Sequence, residues 1–260
     1  MTPDPAPGPA IPEGDLQLHG RLLSASNATF VGEVAGVRVV YKPIAGERPL
    51  WDFPDGTLAA REVASYAVSE ALGWDIVPPT TLRDGPHGPG MVQLWREVDE
   101  DQVPVDIVPA GRTPDGMRHV FDGLDELDQR VSLVHEDTAA LRRMAVLDVL
   151  VNNADRKGGH VLPMPGGHRH GVDHGLTFHV EHKLRTVLWG WLGEPLDESE
   201  VDGVRRVRDA LRGTLGRQLA ELLDAEEVEA TVVRTEELLG AGEFPSPRAS
   251  SYPVIPWPPF

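Results

Sequence analysis

Cysteine is absent from the 260-residue chain. Disulfides, thiolate metal sites and cysteine nucleophiles are therefore excluded, and thiol usage says nothing about the redox compartment. Lysine is scarce: Lys42, Lys157 and Lys183 stand beside 21 arginines. Together with abundant Ala, Gly, Pro and Val, that bias suggests a GC-rich genome, in which each retained lysine is a candidate functional residue. Positive charge as a whole is short, with 24 Lys and Arg against 41 Asp and Glu and a net charge of −17. This argues against nucleic-acid binding, which rests on neutralising phosphates with Lys and Arg. It also argues against docking on an anionic membrane, where each nearby basic residue contributes about 1 kcal/mol. No apolar run reaches the roughly 18 residues that spanning a bilayer needs. The proline-rich residues 1–13 lack the basic-then-apolar order of a secretion signal. A cytoplasmic protein is expected, with no nucleic-acid partner and no stable membrane association.

Hydrophobic residues make up 40% of the chain. That suffices for one large domain or two small lobes sharing a cleft. Residues 1–14 read as a Pro-rich extension and 246–260 as a Pro/aromatic tail, either loose or folded back through Tyr252, Trp257 and Phe260. Residues 16–43 alternate in short apolar runs broken at 24–29 and at Gly36, which predicts about three strands. Residues 58–72 carry Val63, Ala64, Ala67, Val68, Ala71 and Leu72 at helical spacing, and Gly73 ends the helix. Two more strands are predicted at 80–84 and 90–98. A second helix is predicted at 136–153, apolar nearly all round after Met144 and therefore buried. A strand, a turn at 165–167 and a strand to Asp173 follow. The remainder reads as helical, with a stripe through Val201, Val204, Arg208, Leu211, Leu215, Leu219 and Leu222. Asp224 and Glu227 open a last helix as a capping box, ending at Gly240. The expectation is an α+β chain: a β-rich lobe with one helix at 15–100 and a mostly helical lobe at 101–245.

The chemistry concentrates at the end of the second helix. Leu147-Asp-Val-Leu-Val-Asn-Asn-Ala-Asp-Arg-Lys-Gly-Gly-His160 runs from a buried helix into a loop, where Asp155 can be held in a cleft. Farther on, Asp173-His-Gly175-Leu-Thr-Phe178 ends a strand with a carboxylate beside a glycine. Phosphoryl transfer needs one carboxylate to orient and deprotonate a hydroxyl, a second to hold a divalent cation, and a cation to clamp phosphates. Asp155, Asp173 and Lys42 can fill those roles, with Glu62 orienting Lys42. Each residue alone has an ordinary reading as a strand-end lysine, a helix surface charge or a turn aspartate. Their order along the chain is what singles them out.

Those stretches resemble known enzymes. Residues 148–156 are similar to the catalytic-loop signature of the phosphatidylinositol 3/4-kinase-like superfamily. Residues 173–178 resemble the metal-binding Asp-X-Gly-Leu-X-Phe stretch of type II phosphatidylinositol 4-kinases and related bacterial kinases. Val40-Tyr-Lys42-Pro43 resembles their phosphate-binding strand. The chain as a whole, from residue 16 to 244, looks like an uncharacterised actinobacterial family described as phosphatidylinositol 3/4-kinase-like.

The resemblance implies a two-lobed protein-kinase-like fold that transfers phosphate from ATP with Mg²⁺ or Mn²⁺. It implies that Asp155 is the general base, that Asp173 is the principal metal ligand, and that Lys42 contacts the phosphates and pairs with Glu62. Residues 20–30 would cover the phosphates, with Ser24, Ser26, Asn27 and Thr29 as donors. Residues 93–97, with Gln93, Leu94 and Trp95, would form the hinge strand beside adenine, with Met91 and Leu94 as apolar contacts. Asp148 would bind backbone groups of the catalytic loop.

The chain departs from the family pattern at two places. Lys157 replaces the usual His and would aid catalysis by its charge. His160 replaces the usual Asn as second metal ligand, which implies Mn²⁺ preference, a single-metal site or weakened catalysis, because imidazole suits softer ions than Mg²⁺. A non-catalytic ATP-binding scaffold therefore remains an alternative. So does a metal-dependent hydrolase, because six of the ten histidines fall between His160 and His182, with His168, His170 and His174 as a ligand set. The phosphoacceptor is unidentified, with a protein or soluble hydroxyl favoured over a lipid. Lys183 and Arg185 are candidate contacts for an acidic acceptor.

Overall fold

The computed structural model describes residues 10–22, 27–54, 56–247 and 253–260. Strands β1 (Leu16–Leu22), β2 (Thr29–Val34) and β3 (Val37–Pro43) pair antiparallel in succession. Ala35 and Gly36 turn the second hairpin with φ of 47° and 80°, the positive values that a tight turn between right-twisted strands requires. β4 (Thr80–Gly85) and β5 (Gly88–Leu94) complete a five-stranded sheet in the order β1-β2-β3-β5-β4. Side chains alternate across a strand. Val39 and Tyr41 therefore bury with Leu16, Val34 and Val92 on one face, and Lys42, paired with Met91, belongs to the other.

Helix α1 (Leu58–Leu72) joins the hairpins. Thr57 at its N-cap makes no side-chain cap. The Glu47 carboxylate does that work from a distance, accepting from Leu58 N at 3.1 Å and Ala59 N at 2.9 Å. Left-handed Gly73 ends the helix. Ala64, Val68 and Leu72 pack into the main core with the helices of the second half.

The second half is not purely helical. β6 (Val105–Pro109), β7 (Met117–Leu124) and β8 (Arg130–Glu136) form a separate sheet in the order β6-β8-β7. None of β7's residues is fully buried and its apolar residues show no regular alternation, and the buried stretch of β8 includes polar Ser132 and His135. Glu136 accordingly belongs to a strand and not to the predicted helix. Helix α2 (Ala139–Val151) starts later, at Thr138, whose hydroxyl accepts from Leu141 N at 3.3 Å. Leu141, Met144, Leu147 and Leu150 are fully buried, and truncating any one to Ala costs about 2–5 kcal/mol. A short hairpin of β9 (Val161–Pro163) and β10 (Arg169–Gly171) follows.

The predicted long stripe is two helices, α3 (Glu198–Leu211) and α4 (Thr214–Leu222), broken at Gly213. Val207 takes the buried place expected of Arg208. α5 (Ala225–Ala241) begins with the Asp224–Glu227 box and runs past Gly240 to a left-handed Gly242. The chain is thus α+β, with a β-rich N-terminal region and a helical C-terminal part. Among the described residues no helix is long and apolar enough to cross a membrane.

Candidate functional site

The centre of the site is one lysine between two carboxylates. Lys42 Nζ lies 2.7 Å from Glu62 Oε1 on α1 and 2.7 Å from Asp173 Oδ1 just beyond β10. Glu62 is held in turn, because its Oε2 accepts from His174 N at 2.9 Å. Asp173 has a left-handed backbone, φ 61°, which costs a non-glycine residue strain and is the kind of distortion functional sites retain. His160 Nε2 stands 3.3 Å from the second Asp173 oxygen, Oδ2. His160 Nδ1 is buried with no hydrogen-bond partner.

The electrostatics follow from this crowding. The Lys42 ammonium drives the Asp173 carboxyl far below its ordinary range, against the opposing effect of burial. Burial works against the charge on Lys42, but Asp173 and Glu62 outweigh it and raise its pKa. Burial raises Glu62, with Lys42 opposing. Burial also lowers His160 to about 4, so its imidazole is neutral and can donate a lone pair.

Asp155 sits on the loop after α2, its side chain 28% exposed and Oδ2 3.6 Å from Lys157 Nζ. Burial pushes its pKa up to about 6, with Lys157 pulling it down and Asp173 adding to the rise. The Asp173 effect means that the two carboxylates feel each other's charge. A carboxylate with a pKa near neutrality suits a general base.

The loop is anchored from below. Asp148 on α2 and Arg156 are both fully buried. Asp148 accepts from Arg156 Nε at 3.0 Å, Arg156 Nη2 at 2.9 Å and Asn153 Nδ2 at 2.9 Å. Its partners are thus side chains and not the backbone groups expected. Arg156 also donates to the carbonyl of Val172 at 3.2 Å and to His174 Nε2 at 2.6 Å. One guanidinium therefore ties the Asp155 loop to the Asp173 loop. Asn153 Oδ1 accepts from Asp155 N at 3.0 Å.

The described residues expected to contact ATP have protein partners of their own. Ser24 and Ser26 fall outside the described residues. Thr29 is buried and donates to the Asn27 carbonyl at 3.3 Å, while Asn27 Oδ1 accepts from Arg48 N at 2.9 Å. Thr29 thus braces its own turn, and Asn27 ties that turn to the segment after β3. Gln93 shares the Lys42 face, but its amide is spent on Thr80 Oγ1 at 2.9 Å. Leu94 pairs with Val39 on the opposite face, so period-two alternation turns it away from the Lys42 side. Trp95 lies under the Arg38 guanidinium at 4.2 Å, with its backbone N–H donated to the Arg38 carbonyl at 3.0 Å.

The histidines divide as well. His168 and His170 meet at Asp75, whereas His174 is taken by Arg156. Lys183 is buried against Asp52 at 2.8 Å and is not presented to an acceptor.

Over 263 aligned residues the chain is 49% identical to protein Rv2133c of Mycobacterium tuberculosis, which covers 96% of this chain and 94% of that one. The chain belongs to the Rv2133c family. No protein-family model matches it. The solved structure of the Helicobacter pylori proinflammatory kinase CtkA aligns with a TM-score of 0.49 at 10% identity, covering 91% of this chain and 95% of that one. A likeness of that size carries no functional weight.

In this Rv2133c-family chain the residues that sequence reasoning overlooked are supporting ones. Glu47 forms no motif by spacing, and its contact crosses from one element to another; Asn153 and His174 lie inside the quoted stretches, but their supporting bonds are set by the fold. Gly158 was legible only as part of a Gly-Gly pair. A Cβ there would overlap the ring of Phe260 in the tail, a contact that no local pattern announces.

Proposed function

We propose that the chain is an ATP-dependent phosphotransferase of the phosphatidylinositol 3/4-kinase-like type, acting on a hydroxyl of a protein or soluble small molecule. The observation that carries the reading is Lys42 bridging Glu62 and Asp173, with His160 on the free Asp173 oxygen. Lys42 would clamp the ATP phosphates, and Glu62 would hold it in place. Asp155, with its raised pKa, would take the proton from the acceptor hydroxyl, a role worth about 10²–10⁴-fold. Lys157 would add positive charge beside the transferring group.

The donor set fits a divalent cation. One carboxylate oxygen and one neutral imidazole nitrogen lie 3.3 Å apart, an oxygen and a nitrogen donor close enough to share one divalent ion. Asp173 and His160 would hold it, and when bound it would neutralise phosphate charge. A nitrogen donor favours Mn²⁺ over Mg²⁺. The net charge of −17 favours an acceptor in solution over a lipid surface.

The test is ATP turnover and self-labelling with Mg²⁺ and with Mn²⁺, read by intact mass so that added phosphate and added AMP are told apart. Wild type should turn over, and Asp155→Ala and Asp173→Ala should each lose about 10²-fold or more. ATP binding with no turnover, or turnover indifferent to both substitutions, would overturn the proposal.

A further inference from the structure

We infer that the chain's last described segment, residues 253–260, is a positioning strap for the catalytic loop, completing the site from behind without entering it. This rests on the phosphotransferase reading above. The loop is fixed up to Arg156 by internal bonds: Ala154 N to the Leu176 carbonyl, Arg156 N to the Arg185 carbonyl, and Val187 N to the Arg156 carbonyl. Beyond Arg156 the support changes. Gly158 N donates to the Pro259 carbonyl at 2.8 Å, and the Phe260 ring lies where a Gly158 Cβ would be. Upstream in the tail, the Val254 carbonyl accepts from Thr186 N at 3.1 Å and from the Trp189 indole at 2.9 Å. Arg156 and Thr186 are themselves bridged in parallel. The tail thus lies across both segments, with its own Pro256 buried and its Ile255 packed partly buried against the main core.

Two features mark this segment as a buttress and not a plug. Among the described residues, no hydrogen bond or ion pair joins 253–260 to Lys42, Asp155 or Asp173, whose partners lie within the site. The peptide it grips lies between Lys157 and His160, the two positions where the chain departs from the family pattern. Gly158 is the residue whose missing side chain admits the ring. A general acid–base or metal-holding group displaced by about 1 Å can lose on the order of 10²-fold in rate. A strap on that peptide therefore acts on turnover and cation use, leaving the nucleotide's own contacts at Lys42 and Glu62 intact.

The experiment is a cycle in the full chain: wild type, Gly158→Ala, Phe260→Ala and the double variant. ATP affinity, turnover, the Mn²⁺ concentration for half-activation and melting temperature are measured for each. Gly158→Ala should lower turnover about tenfold or more and raise the Mn²⁺ requirement, with ATP affinity and melting temperature close to wild type. Phe260→Ala should restore much of that loss in the double variant, because it vacates the space the new methyl needs. An equal penalty for Gly158→Ala with and without the Phe260 ring would overturn the strap. A wild type without turnover would sink the phosphotransferase reading instead. Hydrogen exchange at His160 N–H, which bonds within the loop and not to the tail, then decides the strap alone. Faster exchange after removal of 253–260 supports it, and unchanged exchange ends it.

Discussion

Asp148 and Asp173 each face a cation, yet they are built for opposite ends. Asp148 is fully buried, its oxygens taken by Arg156 and Asn153. Asp173 is half-exposed, with one oxygen on Lys42 and the other facing a neutral imidazole 3.3 Å away. The first arrangement is saturated and has no capacity for a ligand. The second holds a strongly acidic carboxylate, a strained backbone and an unpartnered imidazole nitrogen within one cluster. A buried charge must be paired to be tolerated, so the saturated pair fixes the loop, whereas the unsaturated cluster is where a ligand gains most.

Removing the carboxylate charge at each place sharpens that contrast. Asp148→Asn should cost about 3–5 kcal/mol, because it strands the buried Arg156 guanidinium. Asp173→Asn should cost far less, since Lys42 keeps Glu62. Urea unfolding of both variants checks this, and equal losses would erase the distinction between scaffold and site.

A smaller effect should come from pH. Asp155 has its pKa raised to about 6, while in the unfolded chain it titrates near 4. Between those values the folded chain holds a proton that the unfolded chain has released, so stability from this group falls as pH rises from about 4 to about 6. Asp155→Asn should therefore gain stability relative to wild type on going from pH 4.5 to pH 7. In wild type, kcat/KM should climb through about pH 6 as the base ionises. A flat profile would remove Asp155 from the role of base.

The smallest expected change is at His160. His160→Asn exchanges a nitrogen donor for an oxygen and should shift the Mn²⁺-to-Mg²⁺ activation ratio toward Mg²⁺ by about tenfold. The measurement is metal titration of turnover, and an unchanged ratio would place the cation away from His160.

Much of the fold was readable wherever periodicity and burial agree. The hairpins of 16–43, the helix at 58–72 and the apolar α2 all announce themselves through alternation or helical spacing. The β6-β8-β7 sheet did not, because none of β7's residues is fully buried and its apolar residues show no regular alternation. The break between α3 and α4 was hidden because the apolar stripe runs on across Gly213. At the site, the motif residues were legible as residue types at characteristic spacing. What spacing did not show was the protein partner each side chain finds: Thr29 on the Asn27 carbonyl, Gln93 on Thr80, Lys183 on Asp52.

By itself the sequence determined which groups are available: Asp155 and Asp173 on loops, three lysines, a histidine five residues after Asp155, and no thiol. Tertiary structure alone decided which of them meet. Lys42 and Asp173 are 131 residues apart along the chain and 2.7 Å apart in space, and Gly158 is joined to Pro259 across the same kind of gap. The physical reason is that helical and strand periodicity act over a few neighbouring residues. Pairing between distant charges depends on how whole elements pack, and packing is settled by the core that they share.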